Sequence, residues 1–273
     1  MFKVTSFIKF AILYLFLILG VVYSKAKVVF SIEPLFGIFH QIIGNKIYEF
    51  DYTILVQQDF DHHHFDMKPS MVQKIKTSNM VFVVGTLEIE TKILNLVDKN
   101  KVFKTTEFLK TNNNDPHLWI SVRNCKIIIA KMYEYLVKHK ISSQEIYTNY
   151  RELYRAYSDL DKIFTRKLQE KFASKRNIGI FSYHNEFGYF SRDYNLNMQP
   201  LFEYEEDISP SAFDKILKKM TSYEKNYVIL PPYYDEKVKQ KIQTKIKNVH
   251  FIVFNSNSKD LYGEFRKLLS IME

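Results

Sequence analysis

Short apolar, β-branched runs alternate along this chain with segments whose apolar residues recur every three or four positions. Lys27 to Ile32 reads as a buried strand, and Glu33-Pro34 opens a helix that ends near Gly44. Asp51 to Val56 is the next strand. A second helix starts at Pro69-Ser70, with proline in the first turn, where its missing N–H costs nothing. Met80 to Val84, Leu87 to Leu96 and Lys101 to Phe103 follow as strand, helix and short strand, and a helix runs from about Trp119 to Lys138. Ile146, Tyr150, Leu153, Tyr157, Leu160, Phe164, Leu168 and Phe172 then recur at steps of four and three. They form one apolar face of a single helix from Gln144 to about Ser174, about 45 Å long at 1.5 Å per residue. The alternation resumes with strands at Ile178 to Ser182, Met198 to Phe202, Tyr227 to Leu230 and His250 to Phe254. Helices are predicted near Glu186 to Arg192, from Ser209-Pro210 to about Tyr223, and over Glu236 to Ile246 and Leu261 to Ile271.

Strand-helix alternation of this kind specifies α/β architecture with parallel sheets covered on both faces. The expected fold is two βα lobes with parallel-rich sheets facing a cleft, joined by one long backbone helix. The lobes are predicted at 27–138 and 176–273, with the linking helix in 139–175. Ligand sites in such sheets lie beyond the C-terminal strand ends.

A chain of 273 residues suits two lobes of moderate size, and 46% apolar content is that of a globular protein. Its formal charge of +9 invites a nucleic-acid reading, but the lysines are spread throughout and no arginine-rich run or aromatic-basic motif occurs, so no nucleic-acid partner is expected. The N-terminus carries Lys3 and Lys9, an apolar stretch from Phe10 to Tyr23, and small residues at Ser24 and Ala26. That stretch is short for a membrane span, which needs about 20 residues, and suits a secretory signal over 1–26. An uncleaved, membrane-anchored form is the alternative, and either places the body outside the cytoplasm. The one cysteine, Cys125, has no internal disulfide partner and reads as a small buried residue in a helix.

Three stretches carry the candidate chemistry. The first holds His62, His63 and His64; the second is Asp115-Pro116-His117-Leu118-Trp119; the third is Ser182-Tyr183-His184-Asn185-Glu186-Phe187. Each sets a histidine among loop-forming residues ahead of an aromatic, and together they read as three arms of one metal site. Neutral imidazole is the commonest ligand for zinc and similar ions, and three leave a fourth position open. No paired Cys-x-x-Cys or His-Glu-x-x-His occurs, so the fold must bring the arms together. Asp61 and Asp66 are candidates for the carboxylates that orient metal-bound imidazoles. Three histidines and an open position also describe a zinc-dependent hydrolase. No carboxylate sits at a motif-fixed position for a general base, so an enzyme is not expected. His40, His139 and His250 read as structural, and Glu203, Glu205, Glu206 and Asp207 as a solvated acidic run.

These motifs resemble those of the metal-binding solute receptors of bacterial ABC importers, the group that includes the ZnuA-type zinc receptors and their manganese relatives. His63, Phe65 and Pro69-Ser70 keep the spacing of that family's first motif, with Asp61 on its acidic position. Asp115 to Trp119 resembles the second, and Tyr183 to Phe190, ending at Asp193-Tyr194-Asn195-Leu196, the third. The resemblance covers nearly the whole chain after the signal. It implies His63, His117 and His184 as ligands, with Zn²⁺ as cargo because a third imidazole stands where manganese-type members tend to have a carboxylate; Mn²⁺ or iron(II) is the alternative. The family's usual fourth ligand is an acid, where this chain has Asn255, a weak oxygen donor. His62 and His64 are auxiliary candidates. The resemblance further implies a monomeric periplasmic receptor that hands its ion to an inner-membrane permease and its ATPase.

Overall fold

The computed structural model describes residues 25–56, 67–112, 115–173, 177–202 and 209–272. The predicted signal (all but its last two residues), His62 to His64, Asp61, Asp66 and the acidic run at 203–207 lie outside the described residues.

The predicted alternation is realised. In the first lobe, β1 (Ala26–Ile32), β2 (Phe50–Val56), β3 (Met80–Val83) and β4 (Val102–Lys104) form a parallel sheet in the order β2-β1-β3-β4. Helices α1 (Glu33–Ile43), α2 (Pro69–Lys76), α3 (Glu88–Leu94) and α4 (Val122–Lys138) belong to the same half. In the second lobe, β5 (Ile178–Ser182), β6 (Met198–Pro200), β7 (Lys225–Leu230) and β8 (Val249–Val253) repeat that order as β6-β5-β7-β8, again all parallel. Helices α6 (Gly188–Tyr194), α7 (Pro210–Met220), α8 (Glu236–Lys245) and α9 (Leu261–Lys267) accompany it.

The long helix α5 spans Gln144–Ala173 and packs on α1, α4 and α6. Of its predicted stripe, Ile146, Leu153, Tyr157, Leu160, Phe164 and Leu168 are buried and Tyr150 is half-buried. Alternation along β5 and β7 divides the second sheet's two faces. Ile180, Tyr227 and Ile229 join a core continuous with α5 and the first lobe, whereas Phe181, Val228 and Leu230 pack under α7 and α8. One apolar core therefore runs through both halves, which holds the ends of the two sheets in a fixed relation.

Some ends differ from expectation for local reasons. Trp119 lies in a turn, and α4 starts later because Ser121 is its N-cap, accepting a hydrogen bond from the Asn124 N–H at 2.9 Å. Glu186 likewise precedes α6 rather than opening it. The last predicted helix changes to a tighter 3₁₀ turn over Leu268–Met272.

Candidate metal centre

In each sheet the chain reverses its stacking direction beside the central strand, and open α/β sheets bind ligands beyond the strand C-termini at such points. The segment after β4 supplies Asp115 and His117, the one after β5 supplies His184 and Glu186, and the one after β8 supplies Asn255 and Ser256.

His117 is fixed from several sides. Asp115 Oδ1 accepts hydrogen bonds from the His117 backbone N–H at 2.9 Å and from its ring Nδ1 at 2.8 Å. A neutral ring protonated at Nδ1 keeps its lone pair on Nε2, the arrangement of a metal-binding histidine backed by a carboxylate. Thr86 Oγ1 donates to the Pro116 carbonyl at 2.6 Å, and Asn124 Nδ2 to that of Leu118 at 2.8 Å. Thr86 is itself positioned by buried Glu90, whose carboxylate accepts from the N–H groups of Val84, Gly85 and Leu87. From the second lobe, Tyr189 Oη donates to the Asp115 carbonyl at 3.0 Å and accepts from the Asn112 N–H at 2.7 Å.

His184 and Glu186 come to this arm across the lobes. The two imidazole rings lie 5.6 Å apart between centroids, and His184 Nε2 is 3.4 Å from Glu186 Oε2. One ligand atom each from His117, His184 and Glu186 fall within 4.8 Å of one another, and all three residues are buried. Burial raises the Glu186 carboxyl to about 8, against a hydrogen bond from Ser256 that lowers it and with the Asp115 charge adding to the rise. Asp115 is raised to about 6, again by burial, opposed by the backbone N–H groups of His117, Gly188 and Tyr189 and by the charge of His184. Two buried acids, both raised by burial, beside two imidazoles form a candidate cation site.

Of the residues singled out in the sequence, His117 and His184 come together. His63, His62, His64, Asp61 and Asp66 fall outside the described residues. Asn255 Oδ1 accepts from the Asn257 backbone N–H at 3.0 Å, so its carboxamide oxygen is engaged in a local turn. The acid in the cluster is Glu186, for which the sequence suggested only a helix start. A histidine and a glutamate two apart, just past a strand end, were the signal that could have found it. The other histidines have structural partners: His139 faces the carbonyls of Tyr135 and Asn100, and His250 stacks on Tyr227. Trp119 and Tyr189 are buried walls, and Cys125 is a buried free thiol in α4.

The chain is 23% identical over 244 residues to the high-affinity zinc uptake system protein ZnuA of Bacillus subtilis, covering 80% of this chain and 73% of that one. Its fold superposes on the periplasmic zinc-binding protein TroA of Treponema pallidum with a TM-score of 0.75 and 17% identity, covering 91% of this chain and 98% of TroA. A manganese-bound periplasmic metal-binding protein of Candidatus Liberibacter asiaticus gives a TM-score of 0.69 at 17% identity, covering 91% of this chain and all of that one. No helix among the described residues is long and apolar enough to cross a membrane. The family described as zinc-uptake complex component A, periplasmic (ZnuA), matches residues 28–272, and this chain therefore belongs to the ZnuA family of metal-binding receptors.

Proposed function

We propose that this protein captures one Zn²⁺ outside the cytoplasm and delivers it to an ABC permease and its ATPase. The observation that carries the reading is the buried His117, His184 and Glu186 cluster between two lobes of a ZnuA-family chain. His63 is the fourth donor of this proposal, on the motif spacing it shares with Pro69-Ser70. Two or three imidazoles with one carboxylate form a donor set suited to tetrahedral zinc.

Each residue has a distinct task. Asp115 keeps the His117 proton on Nδ1, so Nε2 faces the ion without a tautomer change on binding. Glu186 supplies an oxygen from the same arm as His184 and offsets the ion's charge. Because the core is continuous and α5 touches both halves, release is assigned to movement of the segments bearing the ligands rather than to wide opening of the lobes. The carboxylate donor favours manganese or iron(II) as the second reading, since oxygen suits those harder ions.

The test is metal content and competition affinity of the purified chain beside a His63→Ala, His117→Ala, His184→Ala variant. One equivalent of zinc, lost in the variant, is expected. Tighter binding of manganese than of zinc would overturn the choice of ion, and no metal in either protein would overturn the receptor reading.

A further inference from the structure

The helix that follows the second-lobe arm, α6, grips the first-lobe arm on both sides of His117. Ahead of that histidine, Tyr189 is 2% exposed, and its Oη donates to the Asp115 carbonyl at 3.0 Å while accepting from the Asn112 N–H at 2.7 Å. The Asp115 N–H in turn donates to the Asn112 carbonyl at 3.1 Å, so one hydroxyl closes both ends of this short bridge. Gly188 brings the helix this close, because a Cβ there would collide with Asp115 Oδ2. Beyond His117, Asp193 Oδ2 accepts from the hydroxyl of Ser121, the N-cap of α4. Arg192 donates to Asp193 Oδ1 at 2.6 Å, and its guanidinium lies 5.1 Å over the Tyr189 ring. The helix is itself anchored in the shared core: Phe187 packs on Phe254 with ring centroids 5.1 Å apart, and Phe190 on Phe164 of α5 at 5.2 Å.

Asp115 can orient His117 only while its backbone keeps Oδ1 within reach of the ring Nδ1, and Tyr189 fixes that backbone from the other lobe. An outer group of this kind acts on a metal through the ligand it steers. We propose that Tyr189 is a positioning residue that presets the His117 arm against the His184 arm, so that both stand in ligand geometry before an ion arrives and part at this contact when it leaves. The proposal rests on the metal-receptor reading. It also separates two tyrosines of one helix. Tyr194 Oη donates to Asp161 Oδ1 of α5 at 3.1 Å, a bond that holds α6 in place without passing through Asp115.

The experiment compares the purified chain with Tyr189→Phe, Gly188→Ala and Tyr194→Phe by chelator competition for Zn²⁺, by thermal unfolding without metal, and by long-range ¹H–¹⁵N spectra of the metal-free protein, which report the ring nitrogen of His117 that carries the proton. Tyr189→Phe is expected to lower zinc affinity about tenfold, the lower end of an outer-shell effect, and to give His117 mixed tautomers where the parent holds the proton on Nδ1. Gly188→Ala displaces Asp115 by a second route and is expected to do the same; it decides the question if Tyr189→Phe does not fold. Tyr194→Phe is expected to lower the unfolding temperature and leave affinity and tautomer as in the parent. A fall of less than about threefold in folded Tyr189→Phe, well under the outer-shell range, would overturn the proposal. So would an unchanged tautomer, or an equal fall in Tyr194→Phe. Zinc binding by the parent that His184→Ala abolishes upholds the receptor reading whichever way the tyrosine variants behave, whereas a parent that binds neither zinc nor manganese overturns both.

Discussion

The two arms of the candidate metal centre are chemical mirror images. In one an acid precedes the histidine by two residues, Asp115 and His117; in the other it follows by two, His184 and Glu186. All four are buried, and burial raises both carboxyls, to about 6 and about 8. They differ in what donates to the carboxylate. Asp115 receives the His117 backbone and ring N–H groups and faces the N–H groups of Gly188 and Tyr189, the residues that open α6. Gly188 permits this approach, since a Cβ there would lie 2.4 Å from Asp115 Oδ2. Glu186 instead turns Oε2 toward His184, 3.4 Å from its Nε2. The lesson is that an acid two residues from a histidine can bond that histidine's own N–H groups, as Asp115 does, or face its ring, as Glu186 does.

That contrast can be broken most directly at the imidazoles. His117→Ala and His184→Ala should each weaken zinc binding by more than the roughly 10–100-fold of an outer-shell change, read by competition against a chelator of known affinity. A loss smaller than tenfold would remove that residue from the ligand set.

The acids should then separate. At pH 7 the metal-free Glu186 carboxyl, raised to about 8, holds its proton, and an ion bound through Oε2 must expel it. Calorimetric titration in buffers of different ionisation enthalpy should therefore report about one proton released from this group on zinc binding, and Glu186→Gln should abolish that release while weakening affinity. An unchanged proton count in the variant would assign the oxygen donor elsewhere. For stability the sign is the reverse of a salt-bridged acid. With its folded value above the ordinary 4.5, the protonated carboxyl favours the metal-free fold most fully below that value, and the contribution is lost as pH rises through about 8.

Asp115→Asn should cost zinc affinity about 10–100-fold, because an amide orients the Nδ1–H less firmly than a carboxylate. The metal-free fold should lose little at pH 8, where the native Asp115 is a buried anion raised to about 6. A variant that unfolds at pH 8 would show that Asp115 serves the fold before the metal. The smallest effect is expected from Trp119→Phe, which removes the bond from Nε1 to the Ser256 carbonyl and should lower stability by about 1 kcal/mol in thermal unfolding with zinc binding retained.

Much of this was legible in the chain. The strand-helix alternation follows from local periodicity, and the stripe from Ile146 to Leu168 announced α5 because its spacing admits no other regular structure. Proline marked where α2 and α7 start, although α7 ends at Met220 rather than near Tyr223. His117 and His184 stood out because each sits in a motif that resembles those of the metal receptors, His184 just past a strand end. Glu186 did not, since a glutamate beside aromatics at a helix start is ordinary in sequence and becomes unusual only when burial removes its water. Asn255 drew attention for the acid it replaces, and its carboxamide is occupied in a turn that brings up Ser256.

What the sequence determined by itself was periodic: element types and order, the long helix, and which histidines lie past strand ends. Those depend on neighbours within a few residues, where covalent geometry fixes spacing. Only the tertiary structure decided which acid meets the imidazoles and how far burial raises its carboxyl. Those depend on residues far apart in the chain, His117 with His184 and Gly188 with Asp115, and on the loss of solvent around them, which no local pattern encodes.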